Sequence, residues 1–200
     1  METEANNLDQ QSHVILGLSG SLRKQSSNTR LLSTIGAMLP AGTEFRIYQG
    51  LGSLPHFSPD LNDDESQAHE TVREWREELR AANAIVICTP EYARGVPGSL
   101  KNALDWVVST GEFMNLPTAV ISASPHPDGG ATALQSLIVT LKMMSATIPD
   151  EASLAVPFIG RMSGPDGGVT DSNVLSSMRS LVQALTQAIP NNGMDGPATV

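Results

Sequence analysis

Between Ser19 and Thr29 the chain reads Ser-Gly-Ser-Leu-Arg-Lys-Gln-Ser-Ser-Asn-Thr. Hydroxyls, one arginine and a helix-capping sequence in so short a span are what an anion site requires. Exposed backbone N–H groups and the positive end of a helix macrodipole converge on a phosphate, and Ser and Thr hydroxyls add neutral donors. Arg23 can supply a forked, charge-assisted contact. Two familiar phosphate loops are excluded. A Walker loop needs Gly-x-x-x-x-Gly-Lys-Ser/Thr, and Lys24 has no Ser or Thr in that frame. The dinucleotide fingerprint needs three spaced glycines, and only Gly17 and Gly20 are present. A terminal phosphate monoester therefore fits better than a pyrophosphate. Taken alone, the loop also fits an ordinary polar turn with a helix cap at Asn28.

Such a loop needs a strand before it and a helix after it. Val14-Ile15-Leu16-Gly17-Leu18 precedes it, and the stretch from Arg30 to Leu39 has a helical pattern. Ala84–Cys88 and Thr118–Ile121 are further continuous apolar runs, as strands buried on both faces should be. Glu44–Tyr48 alternates instead, which places it at a sheet edge, and Ser153–Val156 is a weaker strand signal. Between these runs lie helical stripes: Ala68, Val72, Trp75, Leu79 and Ala82; Leu100, Ala103, Leu104 and Val107 behind Pro97; Leu134, Leu137, Ile138 and Leu141; Val174, Met178, Leu181, Val182 and Leu185. Asp64 followed by Gln67 resembles a capping box for the first of them. The stretch from Gln49 to Asn62, broken by Pro55 and Pro59, reads as a long irregular loop.

Alternating strands and helices without a hairpin signal mean an α/β fold with a parallel sheet and helices on both faces. The doubly wound five-stranded order 2-1-3-4-5 puts the alternating second strand at an edge. Ligands then bind beyond the carboxyl ends of strands one and three, where the winding reverses. A single domain over residues 12–189 is expected, with flexible tails at 1–11 and 190–200.

The net charge of −9 argues against nucleic acid as a partner, and no apolar run approaches the roughly 18 residues of a membrane span. With one cysteine and an acidic, polar start, a cytoplasmic location is the default expectation. His13, His56, His69 and His126 lack ligand spacing, so no metal site is expected. Cys88, inside an apolar strand, reads as core packing.

The loop after the third apolar run carries more information. Thr89-Pro90-Glu91-Tyr92-Ala93-Arg94-Gly95-Val96-Pro97-Gly98-Ser99-Leu100-Lys101-Asn102-Ala103-Leu104-Asp105-Trp106 closely resembles the signature of the NADPH-dependent FMN reductases, a flavodoxin-like group that includes quinone, azo-dye and chromate reductases. Gly20, Ser21, Leu22, Arg23, Ser26 and Asn28 are similar to the same family's phosphate loop, and Ser122 to Gly130 to a third loop bordering the flavin. The resemblance spans roughly Val14 to Pro157. It implies a flavodoxin-like fold in which Ser19, Ser21, Arg23, Ser26, Asn28 and Thr29 hold the FMN phosphate. Pro90, Glu91, Tyr92 and Ala93 would border the isoalloxazine, with Ser124 alongside.

By the same resemblance, hydride passes from NADPH, or NADH, to FMN, and then to a small-molecule electron acceptor: a quinone, azo compound, flavin or metal oxyanion. The flavin carries that chemistry, so no catalytic acid–base residue is expected. A homodimer or homotetramer is also implied. The alternative functions are an FMN-binding electron carrier and a flavin-binding regulator without NAD(P)H turnover. Ala93 stands where the family usually has Asn, and Ala131-Thr132-Ala133 replaces an arginine-containing segment. His126 and Pro127 are also unusual there.

Overall fold

The computed structural model describes residues 13–62, 68–162, 164 and 168–190. Among them, strands β1 (Val14–Ser19), β2 (Glu44–Tyr48), β3 (Ala84–Thr89), β4 (Thr118–Ala123) and β5 (Ser153–Val156) form one parallel sheet in the order β2-β1-β3-β4-β5. Helices α1 (Ser27–Gly36), α2 (Glu70–Arg80), α3 (Gly98–Asp105), α4 (Ala131–Met143) and α5 (Ser172–Gln187) cover it. The expected flavodoxin-like, doubly wound order is the observed one.

The sheet's period of two explains why the central strands read as unbroken apolar runs. Leu16, Leu18, Ile85, Ile87 and Val120 point to one face, where Val72, Trp75 and Leu79 of α2, Leu100 and Leu104 of α3, and Leu137 of α4 pack on them. Ile15, Val86, Cys88, Ala119 and Ile121 point to the other, under Leu31, Leu32 and Ile35 of α1 and Leu181 and Leu185 of α5. Each of these buried Leu or Ile side chains contributes roughly 1.5–3 kcal/mol. The edge strand β2 is half-buried along most of its length, as a strand paired on one side only should be.

Several boundaries differ from the sequence reading. Helix α1 starts at Ser27 and is capped by Ser26, whose Oγ accepts from the N–H of Asn28 (3.2 Å). Asn28 is thus inside the first turn and not its cap. Helix α2 starts after His69, whose side chain accepts from the N–H of Thr71. Ala68 is buried but precedes the helix, and Asp64 and Gln67 lie outside the described residues, as does Ser12 at the edge of the expected domain. Pro97 caps α3 from the position before its first residue. The long loop contains two short 3₁₀ turns, Gly50–Ser53 and Pro59–Leu61.

The same loop is tied to α3. Asn102 donates from Nδ2 to the carbonyl of Pro55 (2.9 Å) and accepts at Oδ1 from the N–H of Phe57 (2.8 Å). The indole of Trp106 donates to the same Pro55 carbonyl (2.8 Å), and that of Trp75 to the carbonyl of Ala103 (2.9 Å). Both indoles are sealed from solvent, at 1% and 0% exposure. The Asn and Trp of the recognised motif therefore act on the loop and the core.

Candidate functional site

At the carboxyl ends of β1 and β3 the chain departs to helices on opposite faces, opening a crevice. Gly20 lets the two strand ends approach. Its N–H donates to the carbonyl of Cys88 (2.8 Å), and a Cβ there would meet Thr89 Oγ1 at 2.8 Å and Leu100 Cδ2 at 3.0 Å. The β1–α1 loop then folds over its own hydroxyls. Thr29 Oγ1 donates to Ser19 Oγ (2.9 Å), which also lies 3.4 Å from the N–H of Ser21. Ser21 Oγ in turn accepts from the N–H of Arg23 (3.4 Å). Beyond that brace, the N–H groups of Leu22, Lys24, Gln25, Ser26 and Ser27 meet no protein acceptor among the described residues.

Asn28 is buried, and its Oδ1 accepts from Cys88 Sγ (3.2 Å), leaving its Nδ2 donors without a protein acceptor among the described residues. Burial pushes the Cys88 thiol well above its ordinary range. A thiol so placed reacts as a thiolate only when the fold opens. Alkylation of native protein by iodoacetamide should accordingly run more than about 100-fold slower than in denaturant. Equal rates would place Cys88 at the surface.

The opposite wall is the β3–α3 loop. Tyr92 and Gly95 exchange both backbone hydrogen bonds (2.9 and 3.0 Å) around Ala93 (φ +50°) and Arg94 (φ +64°). Two consecutive positive φ values define a tight hairpin turn that favours Asn and Gly. Here two ordinary L-residues occupy it, and the left-handed conformation costs each of them about 1–2 kcal/mol. Ala93→Asn should raise stability by about 0.5–1 kcal/mol, seen as a melting temperature about 1–4 °C higher. A lower melting temperature would mean the turn is not strained at that position. The N–H of Tyr92 is committed to the turn, while those of Glu91 and Ala93 meet no protein acceptor among the described residues.

The third side is the β4–α4 loop. Ser124 Oγ accepts from the N–H of His126 (3.2 Å), and Ser122 Oγ donates to the carbonyl of Gly129 (2.8 Å). Asp128 Oδ1 accepts from the N–H of Gly130 (3.2 Å). That bond, with Arg94 beside it, holds the Asp128 carboxyl below the usual carboxylate range. Because the folded-state value is the lower one, its stabilisation is present above the unfolded-state value and fades as pH falls through the folded one.

These walls enclose a cleft of about 240 Å³ lined by Ser21, Arg23, Ser26, Asn28, Pro90, Glu91, Tyr92 and Ser124, all anticipated from sequence. Ser19 and Thr29 are not in the lining; they brace the loop from beneath. Ala93 sits on the turn, outside the lining. Ser27, Ala123, Pro125, His126 and Ile159 complete the surface. Ser27, Ala123, Pro125 and His126 lie in the loops marked out by sequence, though not as named contacts, and only Ile159 carried no signal. Ile159 enters from beyond β5, where its N–H donates to the carbonyl of Ser124 (3.1 Å). Tyr92 is 51% exposed, a ring face open for stacking.

The family model described as NADPH-dependent FMN reductase matches residues 14–160, a span that contains all three loops. The chain belongs to the NADPH-dependent FMN reductase family. A quinone reductase from Pseudomonas putida is 35% identical to this reductase over 138 residues, covering 66% of this chain and 72% of that relative. A quinone reductase from Escherichia coli is 29% identical over 178 residues, covering 88% and 94%. Among solved structures, the flavoenzyme NAD(P)H:(acceptor) oxidoreductase FerB from Paracoccus denitrificans superposes with a TM-score of 0.78 at 28% identity, covering 88% of this chain and 97% of that one.

The reductase's donor set fits FMN. A run of free N–H groups, the first turn of the ten-residue α1 and one guanidinium suit a phosphate. The free N–H groups of Glu91 and Ala93 suit a polar ring edge. Among the described residues no helix is long and apolar enough to cross a membrane, and no group of three or more His, Cys, Asp or Glu is placed to hold a metal.

Proposed function

We propose that this reductase binds FMN by its phosphate at the β1–α1 loop and passes electrons from NAD(P)H to quinone-type acceptors at the cleft. The convergence of three strand-end loops on one cleft, with unpaired donors on two of its walls, carries this reading. When bound, FMN supplies the hydride chemistry, accepting from a nicotinamide and delivering to the acceptor. The chain's own residues bind and orient. The N–H groups from Lys24 to Ser27, the Ser26 and Arg23 side chains and Asn28 Nδ2 would hold the phosphate. The N–H groups of Glu91 and Ala93 would align the ring, and the Tyr92 face would cover it. Among the residues lining the cleft, Tyr92 is the single phenol or phenyl ring. An electron carrier that shields its flavin between aromatic walls would need more.

The quinone class is supported by the names of the P. putida and E. coli relatives. The reading includes a single domain over residues 12–189, supported by one continuous sheet, and cytoplasmic placement, supported by the acidic composition and lone thiol. It also includes a homodimer or homotetramer, supported by the exposed Val139 and Met143 on α4. Anaerobic addition of NADPH and then NADH to the FMN-loaded protein should bleach the flavin's visible absorbance, and a quinone should restore it. Retained FMN that neither nucleotide bleaches would favour the carrier or regulator reading instead.

A further inference from the structure

One guanidinium nitrogen links two adjacent loops of the cleft, β3–α3 and β4–α4. Nη1 of Arg94 lies 3.0 Å from Oδ2 of Asp128 and 3.6 Å from Oε1 of Glu91. Each carboxylate is engaged a second time at the start of α4. Asp128 Oδ1 accepts from the N–H of Gly130 (3.2 Å), and Glu91 Oε2 accepts from that of Ala133 (3.1 Å). The base of this junction is tightly fitted: a Cβ on Gly130 would lie 3.3 Å from Cβ of Glu91 and 3.4 Å from Cβ of Ser122.

Two further observations bear on what the junction does. Arg94 is itself one of the two left-handed residues of the Tyr92–Gly95 turn. Strained backbone of that kind persists where its surroundings over-determine it, and it gathers at ligand clamps. Glu91, meanwhile, is only 11% exposed and sits in the wall of a cleft meant for a phosphate-bearing cofactor. Without the guanidinium, the Glu91 carboxylate in that wall would face the anion uncompensated, with Asp128 unpaired outside the cleft.

We propose that Arg94 is a positioning residue for the cleft. By bridging Glu91 and Asp128 to the first turn of α4, it holds the Ala93–Arg94 turn and fixes where the free N–H groups of Glu91 and Ala93 stand against the flavin ring. This rests on the FMN reading above. Arg94 touches neither cofactor nor substrate in this role; it acts through the two carboxylates and the turn. In such a role an arginine that is 72% exposed acts on the site from outside it. Exposed ion pairs contribute little to global stability, so a merely structural contact would leave the flavin's properties unmoved.

The test compares the full-length wild type with Arg94→Gln, Asp128→Asn, the double variant and Arg94→Lys. Titration with FMN gives affinity, and the bound flavin's visible spectrum and midpoint potential report its surroundings. The proposal expects Arg94→Gln and Asp128→Asn each to weaken FMN binding about fivefold and to shift the spectrum and potential. The double variant should be no worse than either single one, because both break the same link, and Arg94→Lys should restore most of the loss. Wild-type spectra and affinity in both single variants would overturn it, as would losses that simply add in the double. A wild type that takes up no FMN sinks the underlying reading; a wild type that binds FMN while its variants behave identically sinks only the clamp.

Discussion

Arg23→Ala should weaken FMN binding by about 1–3 kcal/mol, roughly 5- to 150-fold in dissociation constant. Among the residues lining the cleft, Arg23 is the one arginine or lysine, and the one carboxylate there, Glu91, has the opposite sign. Truncation therefore removes the fixed positive charge and leaves the dianionic phosphate to neutral N–H and hydroxyl donors. Those donors remain, braced by Ser19 and Thr29, so binding should weaken and not vanish. Riboflavin, which has the same ring system and no phosphate, supplies the control. The variant should lose affinity for FMN and keep its affinity for riboflavin, so that the ratio between the two narrows. An unchanged ratio would remove Arg23 from the phosphate site whatever happens to absolute affinity.

Gly129→Ala should lower the stability of the protein by about 2–5 kcal/mol. Gly129 has φ +64°, which costs an L-residue about 1–2 kcal/mol. The added methyl would also stand 2.9 Å from both the nitrogen of Pro157 and the carbonyl carbon of Val156. These are backbone atoms at the end of β5, with no rotamer to swing aside, and overpacking adds about 1–3 kcal/mol. A melting temperature roughly 4–20 °C lower follows for a chain of this size. Gly98→Ala provides the matched control, since a Cβ at that position meets nothing within 4 Å. Equal melting temperatures for the two variants would mean that the β4–α4 loop yields more easily than its contacts imply.

Strand order was legible because burial leaves its mark on composition. Runs such as Ala84–Cys88 bury side chains fully in both core layers, whereas edge strand Glu44–Tyr48 only half-buries Tyr48 on one layer and Phe45 and Ile47 on the other. Helix starts were less so. Ser26 and Asn28 are both good caps, and only the fold, which turns Asn28 inward onto Cys88, decides between them. The cleft's three walls were readable because each is a continuous stretch of chain leaving a strand. The rest depends on tertiary proximity. Arg94 and Asp128 are 34 residues apart, and Asn102 reaches Pro55 across 47. No local pattern encodes either meeting. Ser19 and Thr29 show the opposite limit: their chemistry suits a ligand contact, yet each has the other for its partner.

The two indoles locked into the interior make this chain a convenient optical ruler. Trp75 and Trp106 each already donate to a carbonyl and have no access to water, so a newcomer in the crevice leaves their surroundings unaltered. Their emission colour should hold steady as the coenzyme is added, while brightness drops through energy transfer to the yellow chromophore. A red shift, by contrast, would signal that the interior itself has come apart.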